Sequence, residues 1–218
     1  MFLGHFGAAF AAKRVAPRPS LGTAVLAAQW ADGIWPIFVM LGIEQVAIRP
    51  GITVVTPLDF VSYPYSHSLA ADVGWAALFA VAYGTLRKDW RGAAWLAALV
   101  LSHWVLDAAS HRPDVPTWPG GPVVGAGLWN SLPATLIVEF ALFAAGIGLY
   151  VRATLARDAL GKILLWTFVI TLAALYLGAI FGPPPPSVGA LAMTSLAGWL
   201  FVAWAYWIDR HRVLAAAV

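Results

Sequence analysis

Six apolar stretches, each close to the length of a membrane-spanning helix, restrict what this chain can fold into. They cover residues 20–44, 67–87, 92–110, 131–151, 163–181 and 187–208. A helix of about 20 apolar residues crosses the hydrocarbon core of a bilayer. Only 11% of the residues are charged, against about 25% in an average soluble domain. The sequence therefore predicts an all-α fold, a polytopic membrane helix bundle of about six transmembrane helices, as one domain over residues 1–218.

A shorter apolar stretch, residues 1–12, precedes these six and is too short to span a bilayer. Its positive charges, Lys13 and Arg14, follow the apolar residues, whereas a cleavable signal peptide carries them in front. We therefore expect a short N-terminal helix that is half-inserted or lies at the interface.

The basic residues predict the orientation of the bundle. Eleven of the thirteen Lys and Arg residues fall in alternate loops, at positions 13, 14, 18, 87, 88, 91, 152, 157, 162, 210 and 212. The other loops, at 45–66, 111–130 and 182–186, contain only Arg49 and Arg112. By the positive-inside rule, both termini are cytoplasmic if this is a bacterial inner-membrane protein. The bilayer accounts for the small net charge, and no nucleic acid is needed to explain it.

One helix carries an imidazole and a carboxylate one turn apart. His103 and Asp107 stand at i and i+4 within an apolar segment and so share a helix face. Ionisable groups inside a bilayer need a partner, such as each other, a metal or a water-filled cavity. The other ionisable side chains of the apolar segments are His5, Asp32, His67, Asp72 and Glu139. We interpret the set as a metal site around His103 and Asp107; a hydrogen-bonded cluster that holds helices together, and a haem or pigment ligand, remain alternatives.

The surroundings of these residues suggest supporting roles. Ser66 and Ser68 flank His67 and can cap a helix or orient the imidazole. Gly33 and Pro36 follow Asp32 and predict a local break in that helix. His111 continues the His103–Asp107 face if the helix persists, and the following Arg112-Pro113 argues against that.

The two long loops between spanning segments are rich in Pro and Gly, and one of them can fold over the bundle as a lid. Their acids, Asp59 and Asp114, are expected to be solvated.

Short motifs keep a recognisable order along residues 4–140. They are Gly4-His5, Ala31-Asp32, Ser66-His67-Ser68, Ser102-His103 with Asp107, Val115-Pro116-Thr117-Trp118-Pro119 and Glu139. In these motifs the chain resembles a family of bacterial membrane-bound, metal-dependent hydrolases, the LexA-binding, inner-membrane-associated type. The last two spanning segments, residues 162–208, carry none of the motifs.

The resemblance implies a ligand set and a reaction. One divalent ion, most consistent with Zn²⁺ for a His/carboxylate site, would be bound by His5, Asp32, His67, His103 and Asp107. Glu139 or Asp72 would accept a proton from water. The family continues its first Asp motif with a second Asp and a His, whereas Gly33, Ile34 and Trp35 follow Asp32 here. We therefore expect one ion rather than two.

Two functions stay open. The first is a membrane hydrolase acting on a lipid-like ester or phosphoester that enters from the outer half of the bilayer. The second is a non-enzymatic subunit or scaffold of a larger membrane complex, whose polar cluster is structural or binds an ion or pigment. The absence of cysteine excludes disulfides, thiolate metal sites and iron–sulfur clusters under either hypothesis.

Overall fold

Long helices form the framework of the protein. A computed structural model of the chain describes residues 1–215. Its helices are α1 (Leu3–Val15), α2 (Leu21–Ala28), α3 (Trp30–Met40), α4 (Pro64–His67), α5 (Leu69–Arg87), α6 (Trp90–Ser110), α7 (Leu132–Ala153), α8 (Ala159–Phe181), α9 (Val188–Ser195) and α10 (Gly198–Arg210). Three short antiparallel strand pairs connect them: β1 (Gln45–Ile48) with β2 (Leu58–Ser62), β3 (Val115–Pro116) with β4 (Val123–Val124), and β5 (Thr154–Ala156) with β6 (Arg212–Leu214).

The described residues contain five helices long and apolar enough to cross a membrane, namely α5, α6, α7, α8 and the α9–α10 unit. The α2–α3 pair passes the same test as one bent unit and makes a sixth. The predicted all-α, multi-pass helix bundle is therefore confirmed. Most predicted segments match these helices within a few residues, but segment 20–44 is two helices and segment 187–208 is interrupted between α9 and α10.

The break between α2 and α3 lies at Gln29, earlier in the chain than predicted. The two helices meet there at an angle of 52°. Pro36, by contrast, lies inside α3, and Gly33 keeps a helical hydrogen bond to the Gln29 carbonyl at 2.8 Å. The early break ends α2 at Ala28 and leaves the carbonyl of that residue free for another partner.

The short helix α1 lies in the interior of the bundle rather than at an interface. Leu3, Phe6 and Phe10 are all at most 2% exposed. The helix crosses α7 where a Cβ on Gly146 would lie 2.1 Å from the Gly7 carbonyl oxygen, so only glycine permits the approach. At about 1.5 Å per residue, α1 is shorter than the hydrocarbon core, and it enters the bundle without crossing it.

Contacts between the basic loops bring them to one end of the bundle, which we call the basic face (residues 13–18, 87–91, 152–162 and 209–212). Lys13 pairs with Asp209 at 3.3 Å and Arg18 with Asp89 at 3.4 Å. Strands β5 and β6 join two further basic segments there. The opposite end carries the loops 41–63 and 111–131, and we call it the loop face.

The two loops of the loop face fold against each other. The Val55 N–H donates to the Trp129 carbonyl at 3.2 Å, and Asp59 pairs with Arg49 at 3.1 Å and also with Arg112. The expectation that Asp59 and Asp114 are solvated is wrong: their side chains are 7% and 9% exposed. Burial of both acids in ion pairs and hydrogen bonds holds the loops over the underlying helices.

Candidate metal centre

The centre is built around two residues of α6 that lie one turn apart. His103 Nε2 lies 3.3 Å from Asp107 Oδ2, and the two residues are 1% and 2% exposed. The helix geometry alone brings them to one face, as the spacing predicts. Both face the interior near the end of α6 that lies at the loop face.

Asp32 of α3 and His67 of α4 form, with His103, a group of three potential metal ligands whose donor atoms all lie within 4.8 Å of one another. His67 Nε2 lies 3.4 Å from Asp32 Oδ1 and 3.8 Å from Asp107 Oδ2. His103 Nε2 lies 3.8 Å from Asp32 Oδ1. In a tetrahedral site with bonds of about 2.0–2.1 Å, the ligand atoms are about 3.3–3.4 Å apart. The donor atoms of Asp32, His67 and His103 are therefore close enough for a divalent ion to bind between them with small side-chain movements, and Asp107 Oδ2 lies near both histidines.

His5 of α1 reaches the other oxygen of Asp107. Its Nε2 lies 3.1 Å from Asp107 Oδ1, and its ring stacks on that of His103. The Met1 amino nitrogen contacts the same oxygen, and His111 Nε2 lies 3.9 Å from it. The structure thus brings all five predicted ligands, His5, Asp32, His67, His103 and Asp107, into one cluster, with Asp107 at its middle.

The broken helix orients His103. Its Nδ1–H donates to the Ala28 carbonyl at 2.7 Å, which is free because α2 ends there. This hydrogen bond leaves a free lone pair on Nε2, which lies 3.3 Å from Asp107 Oδ2 and 3.8 Å from Asp32 Oδ1 and has no hydrogen-bond partner among the described residues. A histidine held through its other ring nitrogen is the usual arrangement in metal sites.

A hydroxyl and a carboxylate orient His67. Ser66 Oγ donates to Glu44 Oε2 at 2.5 Å, so it can only accept from His67 Nδ1–H, which lies 2.7 Å away. Glu44 is 1% exposed, and its other oxygen accepts from the Tyr65 and Ser66 N–H groups, both at 2.8 Å. Ser68 does not contact the imidazole; it caps α5 by accepting from the Ala71 N–H at 3.1 Å. The two serines therefore divide the roles that the sequence suggested.

His111 is oriented by residues of the loop face. Its Nδ1 donates to Asp114 Oδ1 at 3.0 Å, and the Tyr63 hydroxyl donates to the same oxygen at 3.2 Å. Burial lowers the pKa of His111, although Asp107 and Asp114 oppose the shift. Burial, with Asp114 and Asp107 nearby, also raises the pKa of Tyr63. Helix α6 ends at Ser110, yet His111 still faces Asp107 from the cap position.

Glu139 of α7 supports the N-terminal end of α1. Its carboxylate accepts from the Phe2 N–H at 3.0 Å and from the Gly4 N–H at 2.8 Å. These contacts satisfy N–H groups that a helix start leaves free and hold His5 in place. Glu139 also lines the cavity beside the centre.

Asp72 of α5 lies apart from this cavity. Its side chain is fully buried, and neither carboxylate oxygen has a hydrogen-bond partner among the described residues. It is not one of the residues that line the cavity. The structure therefore brings Glu139, but not Asp72, to the space where a substrate would meet the centre.

A cavity of about 610 Å³ opens from the centre. Asp32, His67, Asp107, His111 and Glu139 line its polar end. Residues of α8, α9 and α10 line one side, and residues from the N-terminus, α1, α2, α3 and the loop face complete the lining. This volume falls in the range of about 300–1,000 Å³ that is usual for small-molecule sites.

Sequence reasoning did not find the groups that orient the histidines. Glu44 is the last residue of the predicted segment 20–44 and resembles the polar end of a spanning helix. The Ala28 carbonyl is a backbone group, so no residue type in the sequence indicates its role. Asp114 and Tyr63 come from the long loops, whose folding back over α6 is a long-range event. The one available signal was Ser66, which adjoins His67 in the chain.

The imidazoles of His5, His67 and His103 and two carboxylates share one cluster, and hydrogen bonds at Nδ1 fix the tautomers of His67 and His103. This donor set suits a divalent ion of intermediate softness. Histidine and carboxylate oxygen are its only strong donor types because the chain has no cysteine. No protein-family model matches the chain, and neither a curated protein nor a solved structure matches it.

Proposed function

We propose that this protein is an integral-membrane, metal-dependent hydrolase that cleaves an ester or phosphoester of a lipid-like molecule. One observation supports the metal: the Nε2 atoms of His67 and His103 lie 3.3–3.8 Å from carboxylate oxygens of Asp32 and Asp107. Both Nδ1 protons are already donated elsewhere. Unprotonated imidazole nitrogens and carboxylate oxygens at these distances repel each other, and a divalent ion between them would satisfy both histidines at once.

The donor set favours Zn²⁺ bound by His67, His103, Asp32 and Asp107, with His5 as the neighbouring donor on Asp107 Oδ1. Such an ion, when bound, lowers the pKa of a water molecule and polarises a substrate oxygen. The chain itself holds the ligand atoms still, since Ala28, Ser66 and Glu44 fix both imidazoles. Asp32 is the most accessible of the four ligands, with a side chain 42% exposed, so the substrate reaches the centre from its side.

Glu139 is the proposed proton acceptor. It lines the cavity next to the centre, and its hydrogen bonds from Phe2 and Gly4 fix its position. A general base acts within hydrogen-bond reach of the proton that it takes. Asp72 is the weaker candidate because it does not reach the cavity.

The basic face supports the proposed location. Eleven of the thirteen Lys and Arg residues lie in the loops of that face, so by the positive-inside rule we infer that it is the cytoplasmic face if the membrane is a bacterial inner membrane. The centre then lies in the outer half of the bilayer, below the loop face. Substrates available at that depth are membrane lipids and similar amphiphiles. The motif order along residues 4–140, which resembles a hydrolase family, adds support for the reaction class.

Metal analysis of the purified full-length chain tests the proposal. We expect about one equivalent of zinc per chain in the wild type and loss of the ion in the double variant His67→Ala/His103→Ala. Zinc-loaded protein should hydrolyse at least one member of a panel of carboxylate-ester and phosphoester amphiphiles, and a chelator should abolish the reaction. Wild-type protein that takes up no divalent ion at any pH between 6 and 8 would exclude the proposal.

A structural cluster in a non-enzymatic subunit is the second candidate. The observation in its favour is that Asp107 receives contacts on both oxygens from the chain itself, through His5, His103, His67 and the Met1 nitrogen. Hydrogen bonds of this kind hold membrane helices together. Under this hypothesis the protein purifies without metal, and a variant of the cluster loses stability or a partner subunit but no catalytic activity. Visible absorption bands of the purified protein would instead identify a bound pigment or haem.

A further inference from the structure

The last two spanning units, which carry no chemical motif, form one wall of the cavity. Helix α8 contributes Leu175, Ala179 and Ile180, and α9–α10 contributes Leu191, Phe201 and Val202. No charged side chain of these helices lines the cavity. The wall is therefore uncharged and mostly apolar, whereas the charged groups of the cavity come from α3, α4, α6, α7 and the loop face.

Two polar side chains of this wall, Thr194 and Trp199, donate to backbone carbonyls. Thr194 Oγ1 donates within its own helix to the Ala190 and Leu191 carbonyls, both at 2.9 Å. Trp199 Nε1 donates to the Gly33 carbonyl at 3.2 Å. These two groups do not offer hydrogen bonds to a polar ligand. The Tyr176 hydroxyl of α8 has no hydrogen-bond partner among the described residues, but Tyr176 lies near Glu139 at the polar end of the cavity, so the rest of the wall suits a hydrocarbon chain.

The α9–α10 unit lies at the edge of the bundle. Only 11% of an apolar 18-residue stretch of this unit is buried inside the protein, the lowest share among the five long helices of residues 1–215. Between α9 and α10 the backbone tightens, with Ala197 N–H donating to the Thr194 carbonyl at 3.0 Å and Leu200 N–H to the Ala197 carbonyl at 2.9 Å. Ser195, Ala197 and Gly198 line the cavity at this interruption. A single, locally irregular helix thus separates the cavity from lipid.

We propose that the wall formed by α8 and α9–α10 binds the alkyl chain of an amphiphile that enters from the bilayer beside the α9–α10 interruption. The polar group of the amphiphile then lies at the His/Asp centre. The occupant is an amphiphile rather than a water-soluble ester because one continuous cavity joins a charged end to an apolar wall next to lipid. The identity of the cleaved group rests on the proposed function, but binding of the chain does not.

Gly198 gives a sharp test because a Cβ at this position meets no atom within 4 Å although the residue lines the cavity. Gly198→Leu should therefore fill the cavity without a clash. Ala179→Phe fills it independently from α8. Gly178→Leu is the matched control, since a Cβ at Gly178 also meets no atom within 4 Å and the residue is not part of the cavity lining.

The probe is a long-chain alcohol with a diazirine on its chain, photolysed with purified full-length protein in lipid nanodiscs. We expect labelled peptides from α8 and α9–α10 in the wild type and in Gly178→Leu. Labelling should fall by about tenfold in Gly198→Leu and Ala179→Phe, the scale on which an apolar pocket discriminates by size. Metal content should be equal in all four proteins, which also reports that each variant is folded.

Hydrolysis of a series of esters separates this inference from the proposed function. Gly198→Leu should lower kcat/KM for long-chain esters by about tenfold more than for short, water-soluble esters. Labelling of the wall without any hydrolysis would support the alkyl site and contradict the hydrolase. Hydrolysis of short esters with labelling that is equal in wild type, Gly198→Leu and Ala179→Phe would contradict the alkyl site and leave the hydrolase in place.

Discussion

His5 of α1 and His103 of α6 stack face to face, with ring centroids 3.8 Å apart and ring planes 5° apart. Two like charges at this separation repel strongly in a buried environment, so the two rings cannot both be protonated at small cost. Both rings also face Asp107, through Nε2 at 3.1 Å and 3.3 Å. The contact makes the short helix α1 part of the centre and not merely an anchor.

Replacement of His103 by alanine should remove the metal. His103 is common to both groups of potential ligands in the cluster, so its loss leaves no complete set. We expect zinc content, measured by inductively coupled plasma mass spectrometry, to fall from about one equivalent to background, because a site deprived of a ligand no longer closes around the ion.

His211→Ala provides the control for this loss. His211 lies on the basic face and pairs with Asp158 at 2.8 Å, away from the centre. Its replacement should leave the zinc content unchanged. Equal zinc content in the two alanine variants would show that the ion binds elsewhere.

Ser66→Ala should weaken metal binding without unfolding the protein. The substitution removes the hydroxyl that links His67 to Glu44, and loss of such a supporting contact costs about 10–100-fold in metal affinity. Competition with a fluorescent zinc chelator measures the affinity directly.

The neighbouring Ser68→Ala should show the opposite pattern. Ser68 caps α5 and does not touch the imidazole, so its loss should cost about 1 kcal/mol of stability and leave zinc affinity unchanged. If both serine variants lose affinity to the same extent, the contact between Ser66 and His67 does not orient the ligand.

Glu139→Gln and Asp72→Asn distinguish the two predicted proton acceptors. Both substitutions keep side-chain size and remove the charge. We expect Glu139→Gln to retain zinc and to lower kcat by about 10²–10⁴-fold, the usual contribution of a general base. Asp72→Asn should keep most of its activity, because Asp72 does not line the cavity. The reverse pattern would assign the proton transfer to Asp72.

Gly146→Ala should destabilise the bundle. The new Cβ would lie 2.1 Å from the Gly7 carbonyl oxygen, which is backbone and cannot turn aside. Overpacking of this kind costs about 1–3 kcal/mol. Thermal unfolding in detergent should therefore begin at a lower temperature than in the wild type.

Gly148→Ala is the control in the same helix. A Cβ at this position meets no atom within 4 Å, so it should leave the melting temperature unchanged or raise it, since alanine favours a helix. Equal melting temperatures for the two alanine variants would contradict the close crossing of α1 and α7.

The bundle was predictable because its signals are local. Apolar length and the alternation of basic loops report where each helix starts and ends, and the i, i+4 spacing of His103 and Asp107 places both on one face. Convergence of His5, Asp32 and His67 on that pair followed from the cost of isolated polar groups in lipid. That cost predicts a partner for each group, although not which one.

The cavity lining, the position of the α2–α3 break and the role of Glu44 depend on long-range packing. An apolar side chain that faces lipid and one that faces a cavity look alike in sequence, so Leu175 and Phe201 gave no sign of lining a cavity. The position of the α2–α3 break was misjudged because Pro36 is accommodated within α3, whereas Gln29 carries no helix-breaking side chain. Glu44 was overlooked because its role needs the chain around Ser66 to fold back on it.

The interruption at Gln29 leaves a backbone carbonyl without its helical hydrogen bond, which is costly in a membrane, and the site uses that carbonyl as a fixed acceptor. In an unbroken helix, the Ala28 carbonyl would accept a hydrogen bond from an N–H of the next turn, and His103 would be able to rotate about its side-chain bonds. By giving up one helical hydrogen bond, the chain obtains a rigid backbone acceptor at a depth where water cannot supply one. Restoring a continuous helix there would therefore improve the scaffold locally and leave the imidazole without a fixed direction.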